Sequence, residues 1–389
     1  MIRILFVDDN TQILDGIRRS MHCMRGEWQM RFKTDATAAL SELAAQPADV
    51  VVSEMRMPGM DGSEFLSEVK RLCPEAVRII LSGQTETDSI IRVTRSAHQY
   101  LSMPCDAGTL KAAIARTTDL KAALNDEHLV ALVGSVDALP TPPKSYQQLV
   151  ECIRDPDSAI ADVARIIRQD VAMTARVLKL ANSGFFGLRE PVQSIDRAVA
   201  FVGMEAISTL VLGQELFNAS SSVAIPGFSL ERLGKHSFET AAWARAVALH
   251  QKYPTRLADA AFLSGVLHDV GRLVFATRTP PTGQSQRERW LSELSVNMDT
   301  HHARVGGYLL GLWGFPDVIV EAVVWHHAPS RCRDAGLGLC GLVHVGDYLS
   351  HLSERSAVGS DPARLEPGYL ETLGLADSLP AWRESRALT

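Results

Sequence analysis

Three things are scarce in this 389-residue chain, and each shortage removes a class of protein. Its six cysteines, Cys23, Cys73, Cys105, Cys152, Cys332 and Cys340, are scattered and form no CxxC pair, so neither a disulfide framework nor a zinc knuckle is indicated. No apolar run approaches the roughly 18–20 residues of a membrane span, and the apolar start Ile2–Val7 is too short for a secretory signal. The expectation is a reduced, cytoplasmic protein without a membrane partner. Basic excess is lacking as well: with a formal net charge of -6, the chain does not have the footprint of a nucleic-acid binder. What remains is a well-packed composition, 46% hydrophobic, in a chain long enough for two or three domains with separate cores.

The first 122 residues alternate short buried strands with helical segments. Ile2–Val7 ends at Asp8-Asp9, Val50–Val52 ends at Ser53-Glu54, Val77–Leu81 ends at Ser82-Gly83, and Gln99–Ser102 ends at Met103-Pro104. Between the first two runs, Gln12–Met21 has helical spacing at Ile13, Leu14 and Ile17. Alternation of this kind predicts a parallel α/β sheet with function at the carboxyl ends of its strands, and every polar feature just named falls at such an end.

On these residues, with the "MPGMDG" loop Met57–Gly62 and the "MPCD" stretch, the segment resembles the receiver domain of bacterial response regulators. The resemblance implies that Asp8 and Asp9 hold magnesium beside a phosphate-accepting aspartate, with Ser82 and Tyr100 at the switch positions and a lysine before Pro104. Two positions depart from the pattern: the acceptor is Glu54 and the lysine is Met103. Glutamate carries its carboxylate one methylene too far for in-line attack at fixed donor geometry. Methionine neutralises no phosphoryl charge. A receiver that phosphorylation does not switch is expected, although Asp8, Asp9 and Glu54 still supply three hard oxygens, enough for a water-rich Mg²⁺ site.

Leu110–Leu124 reads as the last helix of that domain, breaking near Asn125-Asp126, and residues 123–143 as a helical, Pro-rich linker ending in Leu139-Pro140-Thr141-Pro142-Pro143. Helical patterns follow at Tyr146–Ile153, Ser158–Arg168 (with Asp157 as N-cap), Val171–Ala181, Ile195–Val202 and Glu205–Phe217, giving a helical bundle over 144–225. Asp170, Arg176 and Lys179 read as solvated helix faces. A DNA-reading helix-turn-helix over Ser194–Leu212 is set aside, since Arg197 is its single basic residue. "LPTPP", "RQDVAMTARVLKLANSGFFG" and "SIDRAVAFVGMEAISTLVL" are similar to the N-terminal half of an HDOD domain, an output module related to HD phosphohydrolases.

Nine of the twelve histidines lie between His236 and His351. The apolar run Phe262–Leu273 carries an adjacent His268-Asp269 pair, which demands partners because unpaired burial costs several kcal/mol. His236, His302, the His326-His327 pair and Asp347 are the candidates, and they are the residue types that hold one or two divalent transition metals. Helical spacing puts His302 on a face with Val305, Leu309 and Trp313, beside Gly306-Gly307, and His301 about 100° away. His344 competes with Asp347. Lys235, Arg272 and Arg304 are the nearby cations that could take a phosphate. Gln284–Asn297 reads as a polar surface helix inserted before the His302 helix, and the tail from Asp377 as loosely ordered.

The order H…HD…H…HH…D resembles the HD phosphohydrolase superfamily, including the branch that hydrolyses cyclic di-GMP. Carried over, the resemblance implies Asp269 bridging two ions (Fe, Mn, Zn or Ni), with His236, His268, His302, His326, His327 and Asp347 as terminal ligands. The GYP elements of that branch are absent; "GVLHDVGRL", "HHARVGGYLLGLWGFP" and "HHAP" look like HDOD instead. The expected architecture is multidomain: a doubly wound α/β receiver over 1–122, the linker, an all-α HDOD bundle over 144–225, an HD-like helical subdomain over 226–365 and a tail over 366–389. The expected function is an atypical response regulator with a non-catalytic output acting on other signalling proteins, by default as a homodimer. The alternative is a metal-dependent phosphodiesterase with a cyclic dinucleotide as ligand.

Overall fold

A computed structural model describes the chain except residues 83–95, 137–138, 141–142, 156, 183–190, 205–206, 208–224, 226–227, 279–283, 334–335, 355–364 and 386–389. The chain divides into two compact units, one built on residues 1–138 and the other on most of 139–389. No helix among the described residues is long and apolar enough to cross a membrane.

The first unit is a five-stranded parallel sheet in the order β2-β1-β3-β4-β5: β1 (Ile2–Val7), β2 (Trp28–Lys33), β3 (Val50–Ser53), β4 (Val77–Ser82) and β5 (Gln99–Ser102). β1 lies in the interior, in register with β2 (Ile4↔Met30) and with β3 (Ile4↔Val50), and Ile4–Val7 and Val50–Ser53 are wholly buried. Burial on both faces explains the unbroken apolar runs Ile4–Val7 and Val50–Val52. The strand absent from the sequence reading is β2, whose pattern Trp-Gln-Met-Arg-Phe-Lys is only partly buried. An edge strand needs no continuous apolar run, so it carries little signal. Chain order reverses between β1 and β3, and the crevice at their carboxyl ends is where such sheets place ligands.

Helix Ala107–Leu124 stops at Asn125, which takes a left-handed φ of 47°, and the Asp126 side chain then caps Glu127–Gly134. Arg78 is a further surprise. This β4 arginine is 1% exposed, and its guanidinium donates to the carbonyls of Ser96, Ala76 and Gly134, the last at 2.8 Å.

The second unit is helical. Leu230–His250 is its central helix, packed against Thr255–Leu267 and Leu339–Glu354. Gly265 makes the first contact possible, since a Cβ there would lie 2.5 Å from the Ala241 Cα. The helix Val171–Ala181 corrects the sequence reading: all its residues are buried, because Ile160–Arg168, Ile195–Val202, Thr255–Leu267 and Val270–Ala276 surround it. Arg176 is 1% and Lys179 8% exposed, and Asp170, at 3%, caps the helix by accepting the Met173 N–H. Ala159, not Asp157, precedes helix Ile160–Arg168 as its cap residue. Most of Glu205–Phe217, and with it the second half of the helix-turn-helix reading, lies outside the described residues.

Two further expectations are corrected. Gln284–Leu312 is one continuous helix, so the polar segment is the exposed first half of the helix that bears His302 and not a separate insertion. The tail holds a helix, Leu379–Ser385, packed on Leu230–His250 with Trp382 completely buried.

Candidate metal centre and receiver pocket

A straight helix points neighbouring residues about 100° apart, yet His268-Asp269 and His326-His327 each bring both members to one centre, with His327 alone of the four exposed. They do so because each sits where a helix ends. Helix Thr255–Leu267 stops at His268, and Asp269 leaves helical geometry (φ -100°, ψ 11°) before Val270–Ala276 begins. His326 and His327 follow the last residue of Asp317–Trp325. His302 projects from Gln284–Leu312, His236 from Leu230–His250, and Asp347 and His351 from one face of Leu339–Glu354. His302 is the inward residue of its pair at 1% exposure, as the spacing predicts; His301 is partly exposed.

The imidazoles are oriented from behind. Nδ1 of His268 donates to the Gly265 carbonyl, that of His302 to Met298 and that of His326 to Val323, each at 2.7 Å. Those bonds fix the tautomer and leave each Nε2 as a bare lone pair aimed at the centre, the arrangement found behind metal-ligating histidines. His302 Nε2 then lies 3.1 Å from Asp269 Oδ1, 3.4 Å from His326 Nε2 and 3.0 Å from His327 Nε2. Asp269 Oδ1, His302 Nε2 and His326 Nε2 are acceptors facing acceptors, and at this range they repel unless a cation lies between them. Donors about 2.1 Å from a common ion are separated by about 3.0 Å at right angles and about 3.4 Å at the tetrahedral angle. The residues present therefore fit a divalent transition metal.

A second group adjoins the first. His236 Nε2 and His351 Nδ1 each lie 3.1 Å from Asp347 Oδ1, while His268 Nε2 is 3.7 Å from Asp269 Oδ2 and 3.9 Å from Asp347 Oδ1. Three sets of donors are close enough to share an ion: His302, His326 and His327; His236, Asp347 and His351; and His236, His268 and Asp269. All seven residues expected from the sequence are thus brought together, and His351 joins them. The sequence signal for His351 is its place one turn after Asp347, on the same helix face. His344 is not a competitor: both its ring nitrogens are engaged with backbone, at His326 O and Glu366 N.

Electrostatics suit a cation. Burial pushes Asp269 up, but the Arg272 guanidinium and the imidazoles of His268 and His302 outweigh it and hold the carboxyl well below the usual range. Asp347 is likewise held well below its usual value, burial being overcome by His236 and His351. Burial keeps His268 and His326 neutral and pulls His302 down to about 4. Burial also opposes charge on His236, but Asp347 overrides it and raises that imidazole. Arg272 is committed within the centre: it donates to Asp269 Oδ2 at 3.0 Å and to Asp299 Oδ1 at 2.9 Å.

In the first unit, Asp8 is buried at the end of β1, while Asp9 beside it is exposed. Burial pushes the Asp8 carboxyl up to about 6, and the Glu54 and Asp9 charges add to that against the Asn10 N–H it accepts. Glu54 Oε1 turns back to accept the N–H groups of Met55 (2.7 Å) and Arg56 (3.1 Å). Tyr100 packs in the sheet's core, and Met103 is half-buried just beyond β5. Ser82 closes β4, its side chain outside the described residues.

A doubly wound sheet with acidic residues at its switch point, followed by a helical unit with a buried His/Asp centre, defines a receiver-type signalling protein with an HD-related output. The comparisons agree: residues 4–115 match the response regulator receiver domain and residues 139–329 the HDOD domain. The chain is a response regulator with an N-terminal receiver domain and a C-terminal HDOD domain. The matched HDOD span ends at residue 329, so His344, Asp347, His351 and Glu366 lie beyond it. An uncharacterized protein of Treponema pallidum is 26% identical over 221 residues, 54% of this chain and 40% of that protein. The hydrogenase transcriptional regulatory protein HoxA of Cupriavidus necator is 28% identical over 192 residues, 46% of this chain and 39% of that protein. The chain thus spans less than half the length of these relatives. Among solved structures, the MmoQ response regulator of Methylococcus capsulatus shares 22% identity, with a TM-score of 0.48, over 64% of this chain and 98% of that one.

Proposed function

We propose that this response regulator has a receiver that phosphorylation does not switch, and an HDOD output that carries a divalent transition-metal centre and acts through protein contacts, not turnover. Glu54 is the observation that carries the reading. Its carboxylate sits at the acceptor position, with Oε1 turned back to accept the N–H groups of Met55 and Arg56, and Met103 brings no charge where a phosphoryl group would need one. Asp8, Asp9 and Glu54 hold Mg²⁺ in this reading, as a structural ion. On the output side, Arg272 is tied to two aspartates and so is not set to bind a substrate phosphate. The partners are other signalling proteins, and a second copy of the chain forms the working dimer.

Acetyl phosphate with Mg²⁺ should add no phosphoryl mass to the intact protein; stoichiometric labelling at Glu54 would end the receiver half of the proposal. The ligand set itself favours a second reading, a metal-dependent phosphodiesterase acting on a cyclic dinucleotide such as cyclic di-GMP. A bound metal supplies water of lowered pKa at the scissile phosphate. Elemental analysis should find about one or two Fe, Mn, Zn or Ni per chain under the first reading, with cyclic di-GMP left intact. Turnover that disappears in Asp269→Ala would replace the first reading with the second.

A further inference from the structure

Glu366 touches no candidate ligand, yet it grips the His326-His327 pair from both ends. Its N–H donates to His344 Nε2 at 2.9 Å, and His344 Nδ1 in turn donates to the His326 carbonyl at 2.7 Å. Its carboxylate accepts the Ser330 N–H at 2.9 Å and the Ser330 hydroxyl at 2.5 Å, three residues past His327. His344 is 3% exposed, so both of its bonds are made out of water, where an unmade one costs the full desolvation of the group. Tyr369 seals the arrangement: its ring stands edge-on to His344, centroids 6.0 Å apart, and its hydroxyl donates to the Gly336 carbonyl.

We propose that the segment Glu366–Leu375 is a strap that sets the position of His326 and His327, so that metal occupancy and strap docking are coupled, with His344 as the positioning residue between them. The inference rests on the metal-binding reading above. Residues behind a metal ligand matter because they fix the ring that carries the lone pair. Here the support reaches the ligand through its backbone, on the peptide that orients both imidazoles. Coupling of this kind is reciprocal: if the strap favours the metal, the metal favours the strap by the same factor.

Cobalt(II) titration of the full chain, followed by its visible absorption, tests the proposal. His344→Phe keeps the packing and loses both bonds; His344→Gln can still donate and accept across a similar span. Glu366→Pro removes the N–H given to His344 and, with the side chain, the carboxylate that holds Ser330. Wild type should bind Co²⁺; His344→Phe and Glu366→Pro should bind about 10- to 100-fold more weakly with an altered spectrum, and His344→Gln should recover most of the loss. In wild type alone, Co²⁺ should slow hydrogen exchange at the amides of residues 366–375, an effect absent from His302→Ala. That exchange measurement decides the matter if the strap variants fail to fold. Wild type that binds no Co²⁺ overturns the metal reading and the strap with it. Wild type that binds, with folded His344→Phe and Glu366→Pro unchanged in affinity and spectrum, overturns the strap alone. Exchange in residues 366–375 that is indifferent to bound Co²⁺ does the same.

Discussion

Asp8 carries the clearest consequence at the scale of one residue. Its folded pKa of about 6 lies above the 3.8 of the open chain, so the native state binds the extra proton between those values. Stability from this group therefore falls as pH rises from about 4 to about 6 and stays low above that window. A displacement of this size corresponds to about 3 kcal/mol. Asp8→Asn should be more stable than wild type at pH 7 by about 1–3 kcal/mol and no more stable at pH 4, and saturating Mg²⁺ should narrow the gap at pH 7. Urea denaturation at the two pH values reads this directly; a variant no more stable at pH 7 would refute it. The centre of the second unit was legible at this scale because chemistry restricts the choice. A chain that places His, His-Asp, His, His-His and Asp on mostly apolar helices must bring them together or leave them unpaired in the core. His351 was less legible, because a histidine in the last turn of a helix also suits the helix end and solvent.

Between elements, the packing beneath His302 is the sensitive point. A Cβ on Gly271 would lie 2.0 Å from the His302 carbonyl and 2.7 Å from the Gly306 nitrogen, with no flexible side chain to give way. Gly271→Ala should push helix Val270–Ala276 off helix Gln284–Leu312, at a cost of about 1–3 kcal/mol, and should weaken metal binding although it removes no ligand. Chemical denaturation with metal titration checks both effects. A variant with wild-type stability would show that the two helices can separate freely. Helix periodicity identified Gly306-Gly307 as a packing face, but it could not name Gly271 as the partner. That contact spans some 35 residues of chain and exists only after the helices cross. The same limit explains the misreading of Arg176 and Lys179, whose charges promised solvent while four helices enclosed them.

The whole molecule depends on its last residues more than their composition suggests. Trp382 is fully buried against the second unit, on the helix that carries His236. Trp382→Ala should destabilise that unit by about 3–5 kcal/mol and leave the first unit's transition in place, which domain-resolved hydrogen exchange would reveal. A single tryptophan in a polar tail has no periodic pattern to announce it.

The sequence by itself determined the receiver sheet apart from its edge strand, the helical output and seven of the eight candidate ligands. Strand burial on both faces and helix amphipathicity are local, and metal chemistry admits few residue types. Only the tertiary structure decided that Glu54 Oε1 accepts backbone N–H groups, that both His344 ring nitrogens meet backbone, that His351 lies beside Asp347 and His236, and that Glu366 bonds to His344 and Ser330. Each of these depends on which lone pair or N–H meets which partner across the fold, and no spacing along the chain encodes that.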